Sequence, residues 1–255
     1  MKALVLVKHV PDTNSVFRVN AAGSWVDESS LSFTVNDFDR YALEELLKLK
    51  DAGKVEEVVA LTVGPPDAAS VLRTCLATGA DRAIHVKSDA SAAAPDPFVI
   101  ARSIQTAIAS EGFSLILGGL QADDDNYTQV GGLLAGLLDW PFASAALRLE
   151  LLDASTLRVD RELEGNEVQV VDLTLPAVVT VQTGMNTPRY ASLKGIMAAK
   201  KKPVATVAPE KLDAKLRTLT LAHPPKGKGA EILTGSPEDV AKALVSRIRE
   251  KTGVL

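Results

Sequence analysis

VVALTVGPPDAASVLRTCLATGADRAIHV, residues 58–86, holds a β-branched run at Val58–Val63, two prolines, a helical stripe and a second short run at Ala83–Val86. In its middle, Ala68, Val71, Leu72, Cys75 and Leu76 fall at i, i+3, i+4, i+7 and i+8, between Pro65-Pro66 and Gly79. That spacing predicts a helix with one buried stripe. A strand, helix and strand in so short a span pair as neighbours in a parallel sheet through a right-handed crossover. Working outward, Ala3–Val7 and Leu115–Leu117 repeat the strand pattern. Asn36 is a candidate N-cap with Asp39 three residues on, and Tyr41, Leu43, Leu46 and Leu47 give an apolar face that ends near Gly53. Glu44 and Lys48 are spaced to pair on that helix's wet side. After Pro97, Ile100, Ile104, Ala107 and Ile108 predict a further helix that stops before Gly112.

The remainder of the chain changes character after Pro141. Residues 142–182 carry apolar runs without helical spacing, and the acidic stretch Glu162–Glu167 fits the turn of a β-hairpin. Val178–Val181 reads as another buried strand, and Lys200–Lys202 before Pro203 as a solvated face or a contact for an acidic partner. His223–Gly229 reads as an exposed linker. Beyond it, Ser236, Pro237 and Asp239 fit N-cap, N1 and N3 of a last helix with Ala241, Leu244, Val245 and Ile248 on one face. That face wants a surface to dock on, its own domain's or a partner's. The expected fold is α/β: a parallel nucleotide-binding sheet flanked by helices, Rossmann-like or adenine-nucleotide-hydrolase-like, with an added β-hairpin and a C-terminal arm. The expected domains are 1–222, including the hairpin region 142–182, and 223–255 as linker and docking helix.

Composition narrows the chemistry. The 255 residues are 46% apolar, 24% charged and 4% aromatic, with a net charge of −4. A chain of this length buries roughly three quarters of its unfolded surface and needs no staple. The single cysteine, Cys75, excludes an internal disulfide and sits on the buried stripe, which predicts a core thiol. His9, His85 and His223 lie far apart and there is no CxxC or HExxH, so the sequence offers no metal centre. The mild acidity argues against nucleic acid. Apolar stretches such as Val130–Leu138 are too short to span a bilayer, and the first strand follows the N-terminus without a leader, so the expectation is a cytoplasmic protein without membrane insertion.

The polar run Gly118–Gly132, GGLQADDDNYTQVGG, is the most informative for chemistry. It lies between the strand at 115–117 and the apolar helix at 130–138, where unpaired helix amides can hold a phosphate. GxGxxG and GxxxxGK[ST] are missing, and Gly227 and Gly229 make only a partial match with no strand before them. On one reading Asp125 accepts a ribose diol, and Thr128, Gln129 and nearby amides take phosphate. On the other, the acids merely cap the helix and favour its dipole. His9, at the end of the first strand, faces the same alternative between a crevice role and a structural one. No nucleophile, acid or base is set beside it, so no catalytic residue is expected and the chain is not expected to be an enzyme.

VDRELEGNEVQVVDLTLPAVVT (159–180) and MNTPRYASLKGIMAAKKKP (185–203) resemble the β-subunit signature of electron-transfer flavoproteins. The likeness continues in LVLVKHVPDT (4–13), ALEELLKLKDAG (42–53), GPPDAASVLRTCLATGADRAIHV (64–86), QADDDNYTQVGG (121–132) and LLDWP (137–141), nearly the whole chain. The resemblance implies a heterodimer whose α-subunit holds most of an FAD, while this chain supplies part of the flavin-site wall and a buried AMP. It further implies electron transport in fatty acid oxidation, from acyl-CoA and other dehydrogenases to a membrane quinone oxidoreductase. The family's AMP site maps onto Leu6, Asn36, Asp37, Phe38, Asp39, Val63, Gly119, Gln121, Ala122, Asp125, Asn126, Thr128, Gln129 and Val130. Its partner-recognition loop maps onto residues 190–200, with Leu193 as the anchor among Tyr190, Ile196 and Met197. Without the resemblance, Leu193 would be expected to pack inward. The chain departs from relatives at Asn36–Asp39, where some have Asn-Pro-aromatic-Cys, at Thr13, where some have a flavin-facing tyrosine, and at Thr128 and Val130, where some have asparagine and threonine. Two alternatives stand beside this expectation: a bifurcating subunit with its own FAD in place of AMP, and a stand-alone adenine-nucleotide-binding protein of the stress type.

Overall fold

A computed structural model describes residues 1–88, 96–216, 218–227 and 229–253. The chain divides into two compact units, Met1–Leu221 and Ala222–Leu255. In the first, chain order gives β1 (Lys2–Leu6), β2 (His9–Pro11), β3 (Phe33–Val35), α1 (Asp37–Asp51), β4 (Glu57–Gly64), α2 (Ala69–Thr78), β5 (Arg82–Lys87), α3 (Pro97–Ile108), β6 (Leu115–Gly119) and α4 (Val130–Leu138). Then follow β7 (Phe142–Leu151), β8 (Thr156–Glu162), β9 (Val168–Thr174), β10 (Ala177–Val181), α5 (Leu193–Ala199) and β11 (Val204–Val207).

Nine strands form one sheet in the order β11-β5-β4-β1-β6-β10-β7-β8-β9. From β11 to β7 every neighbour is parallel, and β8 and β9 complete an antiparallel edge. The parallel strands read as continuous apolar runs because both faces are covered. Alternation along β1 sends Ala3 and Val5 into the core beneath α1 and α2, and Leu4 into the core beneath α3 and α4. In β6, Leu115 and Leu117 join the first core and Ile116 the second. Cys75 is fully buried in the first core, and burial pushes its thiol up to about 12, as a core thiol requires.

Several local expectations change. The hairpin around Glu164–Asn166 forms, but it is half of a three-stranded antiparallel meander, β7-β8-β9, whose second turn lies between Leu151 and Thr156. Residues 193–199, expected as loop, form α5, whose N-cap Ser192 accepts the Gly195 N–H through Oγ. Glu44 does not pair with Lys48: it is buried and forked by Arg189, and Lys48 reaches Glu45 instead. Nor is Lys202 simply solvated, since its ammonium donates to the Leu76 and Ala80 carbonyls at the end of α2. Lys200 and Lys201 are exposed.

The second unit contains α6 (Pro237–Thr252), capped by Ser236 Oγ, which accepts from Asp239 N, and ended by Gly253 in the left-handed region. None of its residues is buried. Within the linker, Lys228 lies outside the described residues. No described helix is long and apolar enough to cross a membrane.

Candidate functional site

The chain winds from β1 to β4 and β5 on one side of the sheet, then returns to place β6 on the other side of β1. The order reverses between β1 and β6, and the crevice outside the carboxyl ends of strands at such a point is where open α/β sheets bind ligands. Leu6, Val63 and Gly119 all lie at that edge, at the ends of β1, β4 and β6.

Gly119 lets α1 touch the end of β6. A Cβ there would lie 2.5 Å from both Asp39 Oδ1 and the Phe38 Cβ. Asp39 is 5% exposed, and its two oxygens accept the backbone N–H groups of Lys8 at 2.7 Å and Gly119 at 2.8 Å. Burial drives its carboxyl up to about 7 against the pull of those donors. The group thus staples β1, β6 and α1 together. Asn36 takes the N-cap position without using its side chain as a cap. Instead its Nδ2 donates to the Gln121 carbonyl at 2.9 Å and its Oδ1 accepts from Asp123 N at 3.0 Å. Asp123 Oδ2 also accepts the Asp37 N–H at 3.1 Å, and Asn126 N closes a turn onto the Ala122 carbonyl. The loop after β6 is therefore bonded to the start of α1 along its first half.

Its second half is shaped by two non-glycine residues in the left-handed region, Asn126 at φ 52° and Thr128 at φ 56°. For β-branched Thr128 this is a strained conformation, of a kind that clusters at ligand sites. The chain then enters α4 at Val130, with Gln129 at the N-cap position making no side-chain cap. A Cβ on Gly131 would collide with the Thr180 methyl, so the first turn of α4 lies directly on β10. The first amides of such a turn have no partner within the helix and are free to meet an anion.

Lys8 was not singled out by its sequence position, yet it holds the loop from the β1 side. Its ammonium lies 2.6 Å from both Asp124 Oδ1 and Asp125 Oδ2. Burial works against its charge, but the two carboxylates outweigh that and raise its pKa. Asp125 Oδ1 accepts the Tyr127 N–H, so both of its oxygens have partners and any ribose contact must share them. A lysine two residues past a strand, with an acidic triplet in another loop, was the available signal. His9 opens β2 and stacks on Phe33 at 4.4 Å, with its pKa lowered chiefly by burial. Among the described residues no cluster of His, Cys, Asp or Glu has the arrangement of a metal site.

The other expected site is α5 and the residues before it. Leu193 does not pack inward: it is 84% exposed, with Tyr190 at 89%, Met197 at 72% and Ile196 at 47%. Leu193, Ile196 and Met197 fall at i, i+3 and i+4, so they share one outward face. The base of this segment is fixed. Gly195 abuts the Ala77 carbonyl, where no side chain fits, and Ala199 is buried. Arg73 donates to the Ala199 carbonyl at 2.8 Å, and Arg189 and Asn186 tie residues 186–189 to α1.

Comparison with known proteins agrees over the whole chain. Residues 24–212 match the electron transfer flavoprotein domain. The chain is 42% identical over 259 residues to "Electron transfer flavoprotein subunit beta" of Bradyrhizobium diazoefficiens and 39% identical over 260 residues to "Electron transfer flavoprotein subunit beta, mitochondrial" of Oryza sativa subsp. indica. It is 35% identical over 262 residues to the β-subunit of Bacillus subtilis, and all three alignments cover 100% of both chains. The chain therefore belongs to the electron transfer flavoprotein family, as one of its β-subunits.

Proposed function

We propose that this β-subunit pairs with an α-subunit that holds most of an FAD, and that the heterodimer carries electrons from acyl-CoA and related dehydrogenases to a membrane quinone oxidoreductase. FAD supplies the redox chemistry when bound; this chain supplies docking, positioning and a structural nucleotide. The observation that carries the reading is the outward apolar face of Leu193, Ile196 and Met197 on a segment locked at its base. An exposed leucine held in advance loses little entropy on filling a partner's pocket, which is how interface hot spots gain affinity. Exposed Lys194, Lys200 and Lys201 stand beside it and favour encounter with an acidic surface.

The residues of the β1/β6 crevice fit AMP. Backbone amides at the start of α4, turned by left-handed Asn126 and Thr128, suit one phosphate. Lys8 is already engaged by two carboxylates, which favours a monophosphate over a more highly charged ligand. In this reading Gln121, Ala122, Asn126, Thr128, Gln129 and Val130 surround the phosphate and Asp125 shares an oxygen with the ribose. Leu6, Val63, Asn36, Asp37 and Phe38 wall the base, and Asp39 and Gly119 hold those walls together.

Leu193→Ala tests the docking half. Flavin content and melting temperature should stay at the wild-type value, while kcat/KM for electron acceptance from a dehydrogenase should fall by about 10- to 30-fold, as for loss of one hot spot. Unchanged transfer kinetics would remove Leu193 from docking.

A further inference from the structure

Three consecutive aspartates at the mouth of a phosphate site repel the ligand they are meant to admit, and one residue of β1's exit offsets two of them. Lys8 donates its backbone N–H to Asp39 and its ammonium to Asp124 and Asp125, so a single side chain and its own peptide group join β1, α1 and the loop after β6. The three side chains are each about a quarter to a third exposed, at 31%, 27% and 26%. Both contacts, at 2.6 Å, are charge-assisted and better shielded than a surface pair. The loop they restrain contains the strained pair Asn126 and Thr128. Such strain persists only where the surroundings over-determine it. Asn36 does this for the loop's first half through Gln121 and Asp123, and Lys8 does it for the second.

We propose that Lys8 is a positioning residue: it locks the loop after β6 in its nucleotide-receiving shape and neutralises Asp124 and Asp125, so that the α4 amides meet an anion without their repulsion. The nucleotide half of this inference rests on the AMP reading above; the lock does not. With Lys8 gone, the Asp124 and Asp125 carboxylates would repel each other with no cation between them, and the left-handed turn would relax.

The test uses the full chain as purified with its α-subunit, comparing wild type with Lys8→Met and Lys8→Arg. Hydrogen exchange over residues 119–130 reads the lock, and the rate of AMP loss on dialysis reads its consequence. Lys8→Met should exchange these amides and lose AMP roughly tenfold faster, while the amides of α2 and β5 keep their protection. Lys8→Arg, which keeps the charge, should stay within about threefold of wild type. Loop exchange and AMP loss in Lys8→Met within twofold of wild type would overturn the lock and leave the AMP reading standing. Faster loop exchange in Lys8→Met, together with a wild type that yields no AMP even after denaturation, would support the lock and remove AMP. Where Lys8→Met loosens the whole sheet, adding Asp124→Asn and Asp125→Asn separates the effects. Recovered sheet protection supports the proposal, and a sheet and loop that both stay fast once the two charges are removed overturn it.

Discussion

Arg189→Met removes the guanidinium that fastens the segment before α5 to α1, and its cost follows from the groups left behind. Arg189 Nε lies 2.8 Å from Glu44 Oε2 and Nη2 lies 3.0 Å from Oε1, while Nη2 also reaches Asp51 Oδ2 at 2.8 Å. The Glu44 side chain is 8% exposed and that of Arg189 is 37% exposed. Deleting one partner of a fully buried pair costs about 3–5 kcal/mol, because the other charge is stranded. Solvent around Arg189 screens part of this and brings the expected loss to roughly 2–3 kcal/mol. The Asp51 contact, with Asp51 65% exposed, adds only about a few tenths. In a unit of this size each kcal/mol moves the melting temperature by about 2–4 °C, so a fall of roughly 4–12 °C is expected. Calorimetry of the purified heterodimer reads it. Because most of the penalty is a buried carboxylate left with only the backbone N–H of residue 189 as donor, adding Glu44→Gln should restore more than half of the loss. Electron acceptance should also slow well below the melting temperature as Leu193 loses its fixed base. A melting temperature within about 1 °C of wild type, or a double variant no more stable than the single one, would refute this account.

Two further outcomes follow from the crevice. Burial raises the Asp39 carboxyl to about 7 from an unfolded value near 3.8, so its contribution to stability is full below the unfolded pKa and is lost as pH rises toward 7. Measured against Asp39→Asn, wild type should therefore lose a few kcal/mol of relative stability between about pH 4 and pH 7. Denaturation midpoints that instead favour wild type increasingly with pH would mean that the two backbone donors keep Asp39 ionised. Gly119→Ala places a methyl group against Asp39 and Phe38 and should destabilise by about 1–3 kcal/mol, with faster AMP loss. Wild-type stability and AMP retention would show that α1 can shift freely there.

The periodic parts of the fold were legible because their physics is local. The stripe Ala68, Val71, Leu72, Cys75 and Leu76, bracketed by prolines and Gly79, can bury itself in only one way, and α2 occupies Ala69–Thr78. The helical form of residues 193–199 was not legible because it inverts that signal. It is seven residues long, carries Gly195 in its middle and turns its apolar side outward, so no buried period marks it as helix. Glu44 misled for a related reason: i to i+4 spacing predicts a solvent pair, whereas Arg189, 145 residues later, brings a charge to its buried face. Lys202 looked like part of a solvated run, but the end of α2 offers it two carbonyls. At the crevice, loop and helix start were readable from the glycines, acids and apolar run. Which side chain holds which amide was not, since Asp39, Lys8 and Gly119 meet only once three elements are assembled.

The central claim is that this β-subunit belongs to an AMP-containing carrier heterodimer. The most direct measurement is to purify the chain from its native cell with whatever accompanies it, denature the complex, and quantify the nucleotides released. The account predicts one FAD and one AMP per complex with a second, larger chain. Two FAD would contradict it in favour of a bifurcating flavoprotein, and ATP without flavin or partner would contradict the carrier function altogether.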